Sequence, residues 1–348
     1  MAINEQALSS DEEELHRLGY AQELRRRMSG FSNFAVSFTI ISILSGCLTL
    51  YGYGMNTGGP AIIVWGWPIV GLMTLMVGLA MAEVCSSFPT AGGLYYWSAK
   101  LARNRGAAAS WFTGWFNFLG QVAITAGIDF GCAFFINAFL SLTWGVSTAH
   151  WVTILIFAVV LLVHGLLNQF GIRLVSLLND VSVWWHILGV LIIVAVLVFV
   201  PSHHASASYV FSGIVNNTGW HSTFYVLLLG LLLAQYTFTG YDASAHMSEE
   251  TQDASRAAAR GVIGSIVVSA VFGYILALGV TFAIQDQAKT TAAGGFAVKQ
   301  VFLDSLGSGA AKFVLFICVG AQFYCGMSSI TSASRMMYAF SRDGAVPG

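Results

Sequence analysis

Two short tracts combine residue types that packing alone does not call for. Ser45-Gly46-Cys47-Leu48-Thr49, followed by Gly52 and Gly54, sits inside one apolar stretch, and Gln235-Tyr236-Thr237-Phe238-Thr239-Gly240-Tyr241-Asp242 sits inside another. Glycine lacks the side chain that disfavours most backbone conformations, and hydroxyls can take up backbone groups released from a helix, so each tract is a place where a helix can come apart. An interrupted helix offers bare N–H groups and a partial positive charge to a carboxylate, while released carbonyls can hold an ammonium or a sodium ion. A small zwitterion satisfies both. Tyr236, Phe238 and Tyr241 add rings that can cover a cationic head or close the site. The packing alternative for Gly46 is a small-residue face for close helix approach.

Other polar residues lie in apolar surroundings. Asp129 falls mid-way along one stretch, where an ionised carboxylate is expensive; it can counter a substrate amine, carry a proton or serve a structural partner. His186 is a candidate proton carrier, because the reference pKa of histidine is near neutral, or else a hydrogen-bonded core histidine. Ser328, Ser329 and Thr331, with Ser332 and Ser334, form a hydroxyl tract able to coordinate sodium or to bond its own helix. Glu83, Glu249 and Glu250 stand at the ends of apolar stretches, where Arg103, Arg105, Arg256 and Arg260 can form gate ion pairs with them. His203, His204 and His221 share a polar loop with Asn216-Asn217-Thr218, a glycosylation pattern, and read as solvated rather than metal-binding. Cys47, Cys85, Cys132, Cys318 and Cys325 have no metal or disulfide spacing and read as small hydrophobes. No cofactor or metal is expected.

The elements that must position these residues follow from composition. The 348 residues are 56% hydrophobic and only 9% charged, against about 25% charged in ordinary soluble domains. With 15 Lys and Arg against 16 Asp and Glu, no basic excess exists to hold nucleic acid. The solvent for most of the chain is lipid. A bilayer core needs about 20 apolar residues per helix, and eight such stretches fall at 31–55, 61–82, 110–142, 151–169, 181–200, 222–245, 261–284 and 310–340. Gly46 lies roughly 18 Å along the first and Gly240 roughly 22 Å along the sixth, from opposite faces. Five spans separate the starts of those two helices, so they run in opposite directions, as an inverted repeat of five helices requires.

Placing the N-terminus inside puts twelve basic residues on the cytoplasmic side and leaves Lys289, Lys299 and Lys312 outside, which fixes a cytoplasmic N-terminus. Residues 1–29, with the acidic run Asp11 to Glu14, carry no apolar core followed by a cleavage site and are expected to be a cytoplasmic tail, not a signal peptide. Residues 30–348 are expected to form the transmembrane domain.

The motifs together resemble a known family. Ser45-Gly46-Cys47-Leu48-Thr49 with 51–60, Ala82-Glu83 through Phe88-Pro89-Thr90-Ala91-Gly92-Gly93-Leu94-Tyr95-Tyr96-Trp97, Phe238-Thr239-Gly240-Tyr241-Asp242-Ala243 to His246-Met247-Ser248-Glu249-Glu250-Thr251, and Ser332-Ala333-Ser334-Arg335 to the C-terminus are similar to the amino acid/choline transporter family of the amino acid-polyamine-organocation superfamily. The resemblance runs from about Arg27 to the last residue. It implies an all-α polytopic membrane protein with the LeuT-like inverted-repeat (5+5) fold and a secondary transporter that carries a small amino acid, GABA or choline by alternating access, coupled to H+ or Na+ in symport, in the plasma membrane. Carried onto this sequence, its substrate contacts are Ser45, Gly46, Cys47, Phe238, Thr239 and Gly240. The family has about twelve spans and this chain eight, so a fragment or truncated product is expected. The alternative classes are a non-transporting remnant or sensor and an intramembrane enzyme; no His-Glu-x-x-His motif, nucleophile elbow or facing pair of mid-membrane aspartates supports the latter.

Overall fold

The computed structural model describes residues 5–346. In chain order the helices are α1 (Glu5–Arg17), α2 (Gly30–Ile41), α3 (Gly46–Thr49), α4 (Tyr51–Asn56), α5 (Gly59–Ser87), α6 (Leu94–Leu101), α7 (Gly106–Trp144), α8 (His150–Phe170), α9 (Ile172–Phe199), α10 (Ala207–Ser212), α11 (Thr223–Gly230), α12 (Leu232–Thr237), α13 (Ala243–His246), α14 (Ala254–Phe282), α15 (Gln287–Ala292) and α16 (Ala297–Arg342). At about 1.5 Å rise per residue the long ones exceed a bilayer core. Among the described residues seven helical segments are long and apolar enough to cross a membrane, and the apolar segment Thr223–Thr237 is shorter. The sixth apolar stretch of the sequence is thus not one rod: its helix stops at Thr237 and resumes as α13. The eighth stretch is the part of α16 that follows Gly307, whose non-helical backbone (φ 71°, ψ 174°) divides α16 into two helices.

Apolar residues on the outer faces of α5, α7, α8 and α9 stay exposed, including Met73, Met76, Phe116, Leu162 and Trp184, as helices in lipid require. Inside, α2 lies between α9, α14 and α16, while α14 also packs on α5 and α16 runs along α7 and α8. The broken segments therefore stand at the centre, and Gly30–Thr49 is the most completely buried of the spans. At one end of the bundle, the tail end, residues 11–28 fold against the loop between α13 and α14. The buried Arg26 guanidinium donates to the Ser248 and Thr251 carbonyls (2.8 Å each), and the Asp11 carboxylate accepts the Asp253 and Ala254 amides (2.8 and 3.0 Å) at the start of α14. Asp11 supplies acceptors to amides that a helix leaves unpaired at its N-terminus. Burial pushes the Asp11 carboxyl up, against the pull of those amide bonds and of Arg26, and pushes the Arg26 guanidinium down.

Candidate site at the crossing of two broken helices

The first break spans 42–45, just before Gly46. Ser42 adopts a left-handed conformation (φ 38°, ψ 81°) that few residues other than glycine accept. Neighbouring helices hold it there. The Ser42 hydroxyl bonds His186 Nε2 of α9 (2.6 Å), whose Nδ1 bonds the Ser182 carbonyl (2.8 Å), and the Thr39 hydroxyl donates to Ser182 Oγ (3.0 Å). From α16, Gln322 accepts the Ser45 hydroxyl (2.6 Å) and donates to Thr49 Oγ1 (2.8 Å), while Cys325 Sγ donates to the Ile40 carbonyl (3.1 Å). The Ile40 carbonyl, at the end of α2, is thus taken up by a protein donor, the condition for non-helical backbone at membrane depth.

The second break spans 238–242 and turns on Gly240 (φ 102°), where a left-handed backbone requires glycine. The two breaks cross in contact. A Cβ on Gly46 would stand 2.8 Å from Thr237 Cα, and a Cβ on Gly240 would stand 2.3 Å from Ile40 Cγ2. Each glycine is therefore the point where one broken helix admits the other.

Cavities follow the crossing. On the tail side a cavity of about 160 Å3 is lined by Ile40, Thr239, Gly240, Asp242, Ser329 and Ser332, with Asn117, Gln121 and Ile124 of α7. At the crossing the space narrows to about 10 Å3 between Ile40, Ser45, Gly46, Ile124, Ile128, Tyr236 and Cys325. Beyond it lies an open depression of about 440 Å3 bounded by Leu50, Tyr53, Leu232, Gln235 and Tyr236. Thr239 borders all three. Asp242 is the one ionisable residue lining the tail-side cavity, and its carboxylate lies 3.6 Å from His246 Nε2 one turn on.

Of the residues expected from sequence to contact substrate, Ser45, Gly46, Tyr236, Thr239 and Gly240 border these spaces. Cys47 and Phe238 do not: both are buried in the main apolar core, Phe238 with its ring 5.0 Å from that of Trp67. Tyr241 packs against the same core and offers its carbonyl to the Ser37 hydroxyl (3.0 Å). Within the hydroxyl tract, Ser329 borders the cavity and bonds Thr125 (2.6 Å). Ser328 bonds Asn179 of α9, and Thr331 donates to Asn168 of α8 (2.7 Å), so these two point away from the first break. His186 is at that break, and Asp129 is wholly buried beside His164.

At the tail end, Glu249 and Glu250 find partners other than those the sequence pointed to. Buried Glu249 takes Arg342 in a two-point pair (2.8 and 2.9 Å) and the Ala91 amide (3.0 Å); Glu250 takes Arg335 (2.6 Å). The exposed Glu83 and Arg103 side chains take part in no ion pair among the described residues. Asn117, Gln121 and Asp242 carried no role in the sequence reading. Asp242 was legible as an acidic residue inside an apolar stretch; Asn117 and Gln121, spaced four apart so that they share a helix face, signal a polar stripe on α7.

Comparison with known proteins agrees with this architecture. The family described as amino acid permease matches residues 28–348. The chain is 45% identical to amino-acid permease BAT1 of Arabidopsis thaliana over 98% of its own length and 69% of that protein, and 30% identical to the GABA-specific permease of Saccharomyces cerevisiae over 97% of its own length and 61% of that one. In fold it resembles a nucleobase-cation-symport-1 family transporter solved in a closed conformation with bromovinylhydantoin bound, with a TM-score of 0.53 at 12% identity over 94% of this chain and 71% of the other. Two helix breaks, one ending before Gly46 and one turning on Gly240, crossing inside a lipid-facing helical bundle, and a match along nearly all of the chain, make this integral, multi-pass membrane protein a member of the amino acid permease family, a transporter type and not an enzyme.

Proposed function

We propose that the chain carries a small amino acid, GABA or a choline-like amine by alternating access, driven by a proton or sodium gradient. The observation that carries this reading is the single carboxylate, Asp242, in a cavity bordered by the second break and by Ile40 of α2, two residues before the first. Asp242 suits an ammonium group. A substrate carboxylate is matched by the amide of Gly240, which borders the cavity at the second break and among the described residues donates to no backbone carbonyl. The cavity of about 160 Å3 is below the roughly 300 Å3 at which drug-sized sites begin, which favours a small solute.

The narrowing to about 10 Å3 is at the limit for one water molecule, about 10–15 Å3, so the tail-side cavity and the opposite depression are separated, as a carrier that opens to one side at a time requires. Glu249 with Arg342 and Glu250 with Arg335 are the ion pairs suited to a gate at the tail end, which the distribution of basic residues makes cytoplasmic. The name of the GABA-specific relative supports trying that compound first. In proteoliposomes containing the purified chain, a panel of amino acids, GABA and choline is expected to include one member with saturable, gradient-dependent uptake, and the same member to raise the melting temperature. Asp242→Asn is expected to lower its uptake about tenfold or more, the loss of roughly one charge-assisted contact. Uptake of no panel member, or uptake indifferent to Asp242→Asn, would overturn the assignment.

A further inference from the structure

Behind the narrow crossing lies a pair of ionisable groups that the substrate cavity does not use. His164 Nδ1 of α8 is 3.0 Å from Asp129 Oδ1 of α7, and both side chains are fully buried. The fold makes room for them. A Cβ on Gly326 of α16 would fall 1.8 Å from Asp129 Oδ1 and 2.8 Å from His164 Cε1, so no residue but glycine fits opposite the pair. One turn along α8 from His164, Asn168 donates to the His164 and Met327 carbonyls (3.0 and 3.1 Å), and Thr331 donates to its side chain, fastening α8 to α16. The Phe323 ring, 4.5 Å from the imidazole, covers its flank.

The pair is built, yet incomplete. Among the described residues Asp129 Oδ2 and His164 Nε2 have no hydrogen-bond partner, whereas most buried polar atoms in a core find one. One proton shared between carboxylate and imidazole leaves the pair neutral whichever atom carries it. Removing that proton leaves a buried anion, and adding a second leaves a buried cation, each costly in an apolar interior without compensation. The titratable groups facing Asp129 are Cys132 on α7, Cys325 on α16 and Tyr236 on α12; none supplies a positive charge. A change in proton count therefore has to be met by movement of the helices or by water. The route is short, because Ile128, the neighbour of Asp129, borders the narrow crossing together with Tyr236 and Cys325.

From this geometry we infer that Asp129 and His164 form a proton-binding site behind the crossing, loaded from one side of the membrane and emptied to the other in each transport cycle. The proton arrives from water on one side, resides on a nitrogen or oxygen of the pair, and returns to water on the other; no other bond changes. The inference rests on the transport reading above and names its coupling ion.

Two measurements on the full chain test it. With the panel member identified by uptake, Asp129→Asn and His164→Asn are each expected to lower the ratio of pH-gradient-driven accumulation to substrate-for-substrate exchange about tenfold, a plausible size for a coupling free energy. Independently of transport, infrared difference spectra between acidic and alkaline samples are expected to show a carboxyl band that titrates in the parent chain and vanishes in Asp129→Asn. An unchanged ratio, or no titrating band assignable to Asp129, would overturn the inference. Should the parent chain transport nothing in the panel, the transport reading fails, and the infrared titration alone still decides whether the pair binds a proton.

Discussion

At Gly240 two penalties fall on one atom. A methyl there meets Ile40 Cγ2 at 2.3 Å, on a backbone with φ of 102°, so overpacking and a disfavoured backbone region add. Gly240→Ala is expected to destabilise the chain by about 2–4 kcal/mol, read as a fall in melting temperature. Adding Ile40→Ala removes the clash but not the backbone strain, so the double variant is expected to regain part of the loss; strict additivity would show that the two residues do not meet. At this scale the sequence shows which residue types are unusual but not what they touch. The glycines and Asp129 stand out by chemistry alone. His164 does not, because its role depends on a carboxylate 35 positions away in the chain and on space left by Gly326.

Among the elements, the breaks were legible because hydroxyls and glycines in an apolar stretch weaken a helix locally. Their register was not. The first begins at Ser42, before the glycine that marks it, because a bond from His186 of α9 holds a left-handed serine, a tertiary contact with no local signature. Once the chain turns there, α3 directs Cys47 into the core rather than into the cavity. The same reasoning explains Phe238, which packs on Trp67. His186→Ala is expected to loosen this turn without dissolving the flanking helices. Hydrogen exchange of the 43–46 amides would rise about tenfold or more, the equivalent of losing roughly one hydrogen bond, with exchange in the middle of α14 unchanged. Equal acceleration everywhere would point instead to global unfolding.

For the whole molecule, the tail end is drawn together by contacts remote in sequence. Arg26 reaches Ser248 and Thr251, Asp11 reaches Asp253 and Ala254, Tyr20 donates to Asp343 (2.9 Å), and Arg342 stacks over the Tyr20 ring at 4.2 Å while holding Glu249. Arg26→Ala leaves two buried carbonyls without their donor, at a cost of about 2–4 kcal/mol to tail docking. Limited trypsin digestion is then expected to cut at Arg25 or Arg27 several times faster than in the parent chain, and equal rates would show that the tail is held by other contacts. Composition announced a bundle of membrane helices but not this closure, since a short charged segment looks like any solvated tail until its partners are placed.

The same feature bears on how the protein is made. The segment around Arg26 leaves the ribosome early, and its acceptors at Ser248 and Thr251 follow only after more than 220 further residues, so nascent α2 must enter the bilayer with its unwound turn still lacking the side chains of α9 and α16. Contacts so far apart in sequence carry a loop-closure cost and are slow to form. Until translation reaches α16, the half-made permease has an unfinished wound in its first span, because Gln322 and Cys325, which bond Ser45, Thr49 and Ile40, are not yet there to close it.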